Sequence, residues 1–293
     1  MHKAGFVNIV GNPNVGKSTL MNQLVGEKLS IATFKAQTTR HRIMGIVNTD
    51  DSQIVFSDTP GVLKPNYKMQ EMMLQFSESA LADADVLLYV TDVVENPEKN
   101  MDFLEKVAKM TIPVILLINK IDESDQSKLG DLVEKWHSLL PDAEILPISA
   151  KNKFGTDMLM KRIHELLPES PAFFDKDQLT DKPARFFVSE IIREKILRYY
   201  DKEIPYSVEV VVERFKEDDR QIHINAVIYV ERSSQKGIII GHQGMALKKV
   251  ATEARKSLER FFGKKIFLET FVKVDKDWRN SQKELNNFGY NPE

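Results

Sequence analysis

Gly11-Asn12-Pro13-Asn14-Val15-Gly16-Lys17-Ser18 places two glycines, a lysine and a hydroxyl at the spacing G-x-x-x-x-G-K-[ST]. That combination suits phosphate. Glycines let consecutive backbone N–H groups turn inward around phosphate oxygens, and a helix starting there offers its positive end to the anion. The loop from Asn12 through Asn14, Val15 and Gly16 to Thr19 is expected to wrap the phosphates, with Lys17 reaching the β- and γ-phosphates and Ser18 placing its hydroxyl on Mg²⁺.

Asn119-Lys120-Ile121-Asp122 follows a run of Val, Ile and Leu, at the end of a strand where open α/β sheets bind ligands. A carboxylate there can accept from two guanine nitrogens at once, and adenine offers no such pair of donors. Asp122 is the residue for that task. Asn119 would tie its loop to the phosphate loop, and the Lys120 stem would cover a face of the base. Ser149-Ala150-Lys151 ends the next strand and can offer a backbone N–H to the guanine O6.

Asp58-Thr59-Pro60-Gly61 also ends a strand. Asp58 is placed to hold Mg²⁺ through water, and the Gly61 N–H to sense the γ-phosphate. Thr33–Arg42 is polar and aperiodic; Thr39 closing on Mg²⁺ only when a γ-phosphate is present would make this stretch an order–disorder switch. On chemistry alone Thr38 serves nearly as well. The residues after Gly61 are Val62 and Leu63, so no glutamine stands there to orient water, and slow intrinsic hydrolysis is expected.

These motifs need elements to carry them. Phe6–Val10, Val86–Val90, Pro113–Ile118 and Glu144–Ile148 read as buried strands, and Ile43–Val47 with Gln53–Ser57 as a strand pair turned at Asn48-Thr49-Asp50-Asp51. Helices are expected over Lys17–Val25, Met69–Leu81, Met101–Met110, Ser127–Leu139 and Thr156–Leu166. Apolar strands alternating with amphipathic helices mean a mostly parallel sheet with helices on both faces, an α/β domain over 1–167. Pro168-Glu169-Ser170-Pro171 and the polar stretch to Pro183 read as a linker over 168–183.

From 184 to 293 the order changes. Ala184–Tyr199 is expected as helix, Tyr206–Phe215 and Gln221–Val230 as strands joined at Glu217-Asp218-Asp219-Arg220, Gly237–Phe262 as helix after a glycine-interrupted start, Phe267–Val274 as strand and Asp277–Asn286 as a short helix. That is a small α+β domain. It contains Gly241-His242-Gln243-Gly244, led in by three isoleucines and followed by a helix with an apolar stripe through Leu247, Val250, Ala254 and Leu258. A G-x-x-G loop between helices lets a nucleic-acid backbone approach closely. Lys236, Gly237, Lys248 and Lys249 would add charge and room beside it, and His242 and Gln243 could contact sugar or phosphate.

Charge supports a division of labour. The chain has 293 residues, 41 Lys+Arg against 43 Asp+Glu, and no cysteine. Residues 1–175 hold 18 basic and 24 acidic residues, while Ser234–Lys265 holds 8 basic and 2 acidic ones. A basic patch on an acidic chain suits an anionic partner, although a solvated helix face reads the same way. The absence of cysteine excludes disulfides, thiolate metal sites and a cysteine nucleophile. Apolar runs such as Val114–Ile118 are far short of the ~20 residues of a membrane helix. Met1-His2-Lys3-Ala4 leads straight into a strand-like run, so no cleavable leader is expected.

The five guanine-nucleotide motifs resemble those of the translation-factor-like GTPases, in the branch that contains Era, EngA and the tRNA-modifying MnmE. The N-P-N-V-G-K-S-T-L-M-N-x-L loop and Q-T-T-R-H-R most resemble the Era family, and the loop and element order of the second half resemble a bacterial type II KH domain. The resemblance covers essentially the whole chain, and the single phosphate loop separates it from EngA. It implies a P-loop GTPase domain followed by a KH domain, binding GTP and GDP, with Mg²⁺ as cofactor, single-stranded RNA near the 3′ end of small-subunit ribosomal RNA as target, and a role with the 30S subunit in its assembly. It also implies a K⁺ ion held with the help of Asn14, against the plainer reading in which Asn14 only shapes its loop. A cytoplasmic location, in part peripheral at the inner face of the cell membrane, follows from the same resemblance. Two other readings stay open on residues alone: a GTP-switched module docking on a protein or membrane, and an ATP-dependent kinase, which Asp122 disfavours.

Overall fold

The computed structural model describes residues 2–33 and 35–292. Met1, Glu293 and Phe34, which belongs to the expected switch stretch Thr33–Arg42, lie outside the described residues. The chain divides into two compact units, one built from residues up to Asn66 with Gln70–Asp181, the other from Tyr67–Met69 with Lys182–Asn291.

Among the described residues the first unit has six strands: β1 (Lys3–Gly11), β2 (Ile43–Asn48), β3 (Ser52–Asp58), β4 (Val86–Asp92), β5 (Val114–Asn119) and β6 (Glu144–Pro147). They form one sheet in the order β2-β3-β1-β4-β5-β6. Of these strand pairs only β2–β3 is antiparallel, because Thr49–Asp51 closes it as a hairpin, Thr49 N donating to Ser52 O at 2.8 Å. The other pairs are parallel, and the crossing segments carry α1 (Lys17–Val25), α2 (Lys68–Ala82), α3 (Met101–Ala108), α4 (Gln126–Leu139) and α5 (Thr156–Leu166). β3 and β4 are buried along their whole length, as strands covered on both faces must be. The carboxyl ends of β1, β3, β5 and β6 therefore emerge on one edge of a rigid layer, and the phosphate loop, Asp58–Gly61, Asn119–Asp122 and Ser149–Lys151 follow those ends in turn.

The stretch expected as a linker is bonded to the first unit as far as Asp181. Ile46 N donates to Leu179 O at 2.8 Å, Met44 N to Asp181 Oδ1 at 2.9 Å, and the Gln53 amide holds the Phe173, Phe174 backbone through its Oε1 and Nε2. This covers the outer side of β2, which would otherwise present a row of unpaired backbone groups.

The second unit contains α6 (Ala184–Tyr199), α7 (Ile204–Ser207), β7 (Glu209–Glu217), β8 (Gln221–Val230), α8 (Ser233–Ile240), α9 (Met245–Phe262), β9 (Lys265–Val274) and α10 (Gln282–Asn287). Its sheet runs β7-β8-β9, antiparallel then parallel. Val188, Ile192, Ile224, Ile228, Ala254 and Leu258 form its core, each fully buried. Three expectations change here. The strand expected from Tyr206 begins at Glu209, because Pro205 sets one helical turn first. The helix expected over Gly237–Phe262 is two helices, the first starting at Ser233, where Gln235 Oε1 accepts from both the Glu231 and Arg232 N–H groups at 3.0 Å. The terminal helix is a 3₁₀ turn, Trp278–Asn280, then α10, with the Ser281 hydroxyl accepting from Glu284 N.

Candidate functional site

In the first unit the phosphate loop joins β1 to α1, and Ser18 and Thr19 stand in the first turn of that helix. Gly16 has φ 97°, and a Cβ on it would lie 2.2 Å from Asn119 Nδ2. Only glycine fits both that backbone and that neighbour. The same Asn119 amide donates to Val15 O at 2.9 Å and accepts from Ala150 N at 2.9 Å. One side chain at the end of β5 thus braces the phosphate loop and the Ser149–Lys151 turn together.

Lys17 is buried, its ammonium donating to Gly11 O at 3.0 Å and Asn12 O at 2.8 Å. Burial pushes its pKa down to about 8, and the carboxylates of Asp58 and Glu95 work against that shift. A phosphate bound in the loop would favour the charged form and raise that pKa again. Ser18 Oγ lies 2.8 Å from Thr39 Oγ1, which donates to Asp58 Oδ2 at 3.2 Å. Thr39, rather than only its neighbour Thr38, thus belongs to a cluster of three oxygen-bearing side chains from three separate segments. Asp58 is fully buried, burial raises its pKa, and its Oδ1 has no hydrogen-bond partner among the described residues. An orphaned carboxylate oxygen beside two hydroxyls is the donor set of a hard divalent cation.

Gly61 packs against Pro13, and Val62 N donates to Gly11 O at 3.0 Å, so the chain after β3 lies across the phosphate loop. Val62 is buried with the core side chains of the unit. The described part of Thr33–Arg42 has no regular secondary structure, and at its end Arg42 is held by Asp83 at 2.8 Å and by the Ser57 hydroxyl. Lys17, Ser18, Thr39, Gly61 and Lys120 all line one cavity of about 260 Å³.

At the base end, Ser149 Oγ donates to Asp122 Oδ1 at 2.6 Å and so aims the exposed carboxylate. Lys120 has φ 62°, and its ammonium donates to Asn14 O at 2.7 Å and to Asp92 Oδ2 at 2.6 Å. Asn14 is exposed with φ 67°. Asp92 was not among the sequence candidates, although its place at the end of a buried strand was a visible signal. Two further partners were missed. The Asn100 amide donates to Asn12 Oδ1 and, at 3.1 Å, to Val62 O. The Glu95 carboxyl, raised by burial, accepts from Thr91 Oγ1 at 2.6 Å. Neither belongs to a local pattern, so no spacing in the sequence announced them.

In the second unit α8 and α9 are separated by 241–244. Gly241 has φ 69°, and a Cβ there would meet Ala246 Cβ at 2.6 Å, so the tight reversal requires glycine. His242 and Gln243 are exposed at the tip. Lys236 and Lys248 enter no ion pair among the described residues, and Gly237 is exposed on α8. Lys249 is already engaged, its ammonium 4.3 Å from the centre of the Tyr199 ring. Ile238, the first of the three lead-in isoleucines, and Met245, 49% and 59% exposed, put apolar surface on either side of the loop, and sequence reasoning did not single out Met245.

Comparison with known proteins agrees with both halves of this geometry. A family model described as 50S ribosome-binding GTPase matches residues 6–120, and a KH domain model matches residues 203–279. The structure is similar to that of Era in complex with MgGDPNP and nucleotides 1506–1542 of 16S ribosomal RNA, at 38% identity and TM-score 0.95, covering 99% of each chain. The chain belongs to the Era family of GTPases. It is also similar to a point variant of Aquifex aeolicus Era bound to GDP·AlF4⁻, at 38% identity and TM-score 0.94, over 98% of this chain and 99% of that one. As an Era-family member the chain is a P-loop GTPase, hydrolysing GTP to GDP, with a C-terminal KH domain.

Proposed function

We propose that this Era-family GTPase is a GTP-operated clamp for single-stranded RNA at the 3′ end of small-subunit ribosomal RNA, acting on the 30S subunit during its assembly. The observation that carries the reading is the match over 99% of both chains to an Era structure holding a GTP analogue and 16S nucleotides 1506–1542.

In this reading Lys17 and the N–H groups from Asn12 to Thr19 hold the β- and γ-phosphates. Ser18, Thr39 and Asp58 are the oxygens for Mg²⁺, and the orphaned Asp58 Oδ1 supports that fit. When bound, Mg²⁺ neutralises charge developing between the β- and γ-phosphates. Gly61 donates its N–H to the γ-phosphate, and Thr39 closes the switch stretch over it. Asp122, aimed by Ser149, accepts from guanine, with Asn119, Lys120, Ala150 and Lys151 framing the base. Val62 cannot orient water, so hydrolysis without a partner is slow. Asn14, exposed and with its carbonyl held by Lys120, is the residue we assign to K⁺; equal hydrolysis rates in K⁺ and Na⁺ remove that assignment.

In the KH domain, Lys236, Gly237, Gly241, His242, Gln243, Gly244, Lys248 and Lys249 form the backbone-facing surface. Coupling requires GTP to favour the RNA-competent state, since a ligand with equal affinity for two states shifts neither. RNA affinity measured with a non-hydrolysable GTP analogue and with GDP tests this, and identical values sink the coupling. His242→Asp with Gln243→Asp should abolish RNA binding and leave RNA-free GTP hydrolysis intact. We place the protein in the cytoplasm, in part at the inner face of the cell membrane, where the basic stretch Ser234–Lys265 would meet anionic lipid; vesicle flotation tests the second location.

A further inference from the structure

The sheet of the second unit has two faces. One carries Ile222, Ile224, Ile228 and Val272 into the core. The other carries rows set by strand register: Phe267 beside His223 beside Lys216, then Glu269 beside Asn225 beside Arg214, then Phe271 beside Val227 beside Val211, then Lys273 beside Tyr229 beside Glu209. In the last row Tyr229 and Glu209 are covered, while Lys273 stays exposed. Tyr229 packs on Phe288 with ring centres 5.2 Å apart, and Tyr290 donates to the Glu209 carboxylate at 2.7 Å. The first two rows lie open and the third opens only at Phe271, with Phe267 and Phe271 50% and 49% exposed and Val227 fully buried.

The open part is chemically uniform. His223 stands 5.5 Å from the Phe267 ring. Among the described residues Arg214, Lys216 and Lys265 enter no ion pair, and the Asn225 amide has no side-chain hydrogen bond. The nearby carboxylates are mostly taken: Glu213 by Lys273 at 2.9 Å and Glu217 by Lys264 at 2.5 Å, while Asp218 lies 3.7 Å from His223. Glu269 alone of the outward β9 side chains opposes the positive field. The two phenyl rings are about 13 Å apart along the strand. A polar row, Glu269, Asn225 and Arg214, separates them. A hydrophobic protein anchor wants a continuous apolar centre, and this face lacks one. Separate rings, each flanked by cations and an amide, suit flat bases on a phosphate chain, because every base has a face to stack and every linkage a charge to neutralise.

We infer that this open half-sheet is a second contact for single-stranded RNA, apart from the 241–244 loop, with bases stacking on Phe267 and Phe271 and phosphates met by Arg214, Lys216 and Lys265. The inference rests on the RNA-binding reading of this unit and extends it to a longer stretch of chain.

The test uses the full-length protein, with RNA oligonucleotides of about five and about fifteen nucleotides whose sequence comes from the 3′ end of small-subunit ribosomal RNA. The short one fills a KH loop site, which clamps about four nucleotides. Phe267→Ser with Phe271→Ser should weaken the long RNA by at least about thirtyfold and leave the short one unchanged. Arg214→Gln, Lys216→Gln and Lys265→Gln together should reduce the slope of log affinity against log salt by about 2 for the long RNA, at ~0.7 per phosphate on a single strand. This second variant keeps both rings and stands in if the first fails to fold, as judged by its melting temperature. Wild-type affinity and salt slope for the long RNA in these variants overturn the inference, as does an equal loss for both lengths. Failure of the wild-type protein to bind even the short RNA instead overturns the RNA reading itself.

Discussion

Gly16 and Asn119 are locked against each other: a Cβ on Gly16 would stand 2.2 Å from the Asn119 amide nitrogen. The residue assigned to wrapping phosphate and the residue assigned to framing the base are therefore one mechanical unit. Gly16→Ala must displace Asn119 and also strain a backbone at φ 97°, which costs on the order of 1–3 kcal/mol. The expected result is a loss of GTP and GDP affinity of at least about tenfold, read by calorimetry, with RNA binding by the KH domain retained.

In the proposed reading, specificity for guanine depends on the Asp122 carboxylate, to which the Ser149 hydroxyl is bonded at 2.6 Å. Asp122→Asn should move preference from guanine toward xanthine nucleotides. Ser149→Ala should keep the preference for guanine and weaken GTP binding severalfold, since Asp122 then loses one orienting bond in a solvent-exposed position. Unchanged GTP affinity in Asp122→Asn contradicts the assignment of that residue.

Ser18, Thr39 and Asp58 form a cluster that is complete only if the Thr33–Arg42 stretch is in place. Thr39→Ala should slow hydrolysis by at least about tenfold and weaken the GTP analogue more than GDP. Thr38→Ala should do neither. Chelating Mg²⁺ should reduce the wild-type rate to that of the Thr39→Ala protein or below.

Asn100 touches the phosphate loop at Asn12 and the segment after Gly61 at Val62. Asn100→Ala leaves both oxygens without that donor, so the segment proposed to sense the γ-phosphate loses a brace. Hydrolysis should fall severalfold while GDP affinity changes less than twofold, and a parallel loss of both would mean Asn100 serves only the stability of the loop.

The phosphate loop, the N-K-x-D segment and the G-x-x-G loop were legible in the chain because each does its work with neighbouring residues. Their chemistry depends on backbone groups or side chains only a few positions apart, so spacing carries it. The α/β order was legible for a similar reason, as buried parallel strands such as Leu87–Val90 must be apolar on both faces. Other features came from segments far apart in the chain. Thr39 rather than Thr38 beside Ser18, Asn100 against Asn12, Lys249 over Tyr199 and the paired phenylalanines of β9 left open beyond the reach of Phe288 and Tyr290 all depend on which distant side chains fold together. Periodicity says which way a side chain points within a helix or strand. In an irregular stretch, or on a sheet face partly covered by a later segment, only the packing of the whole unit decides.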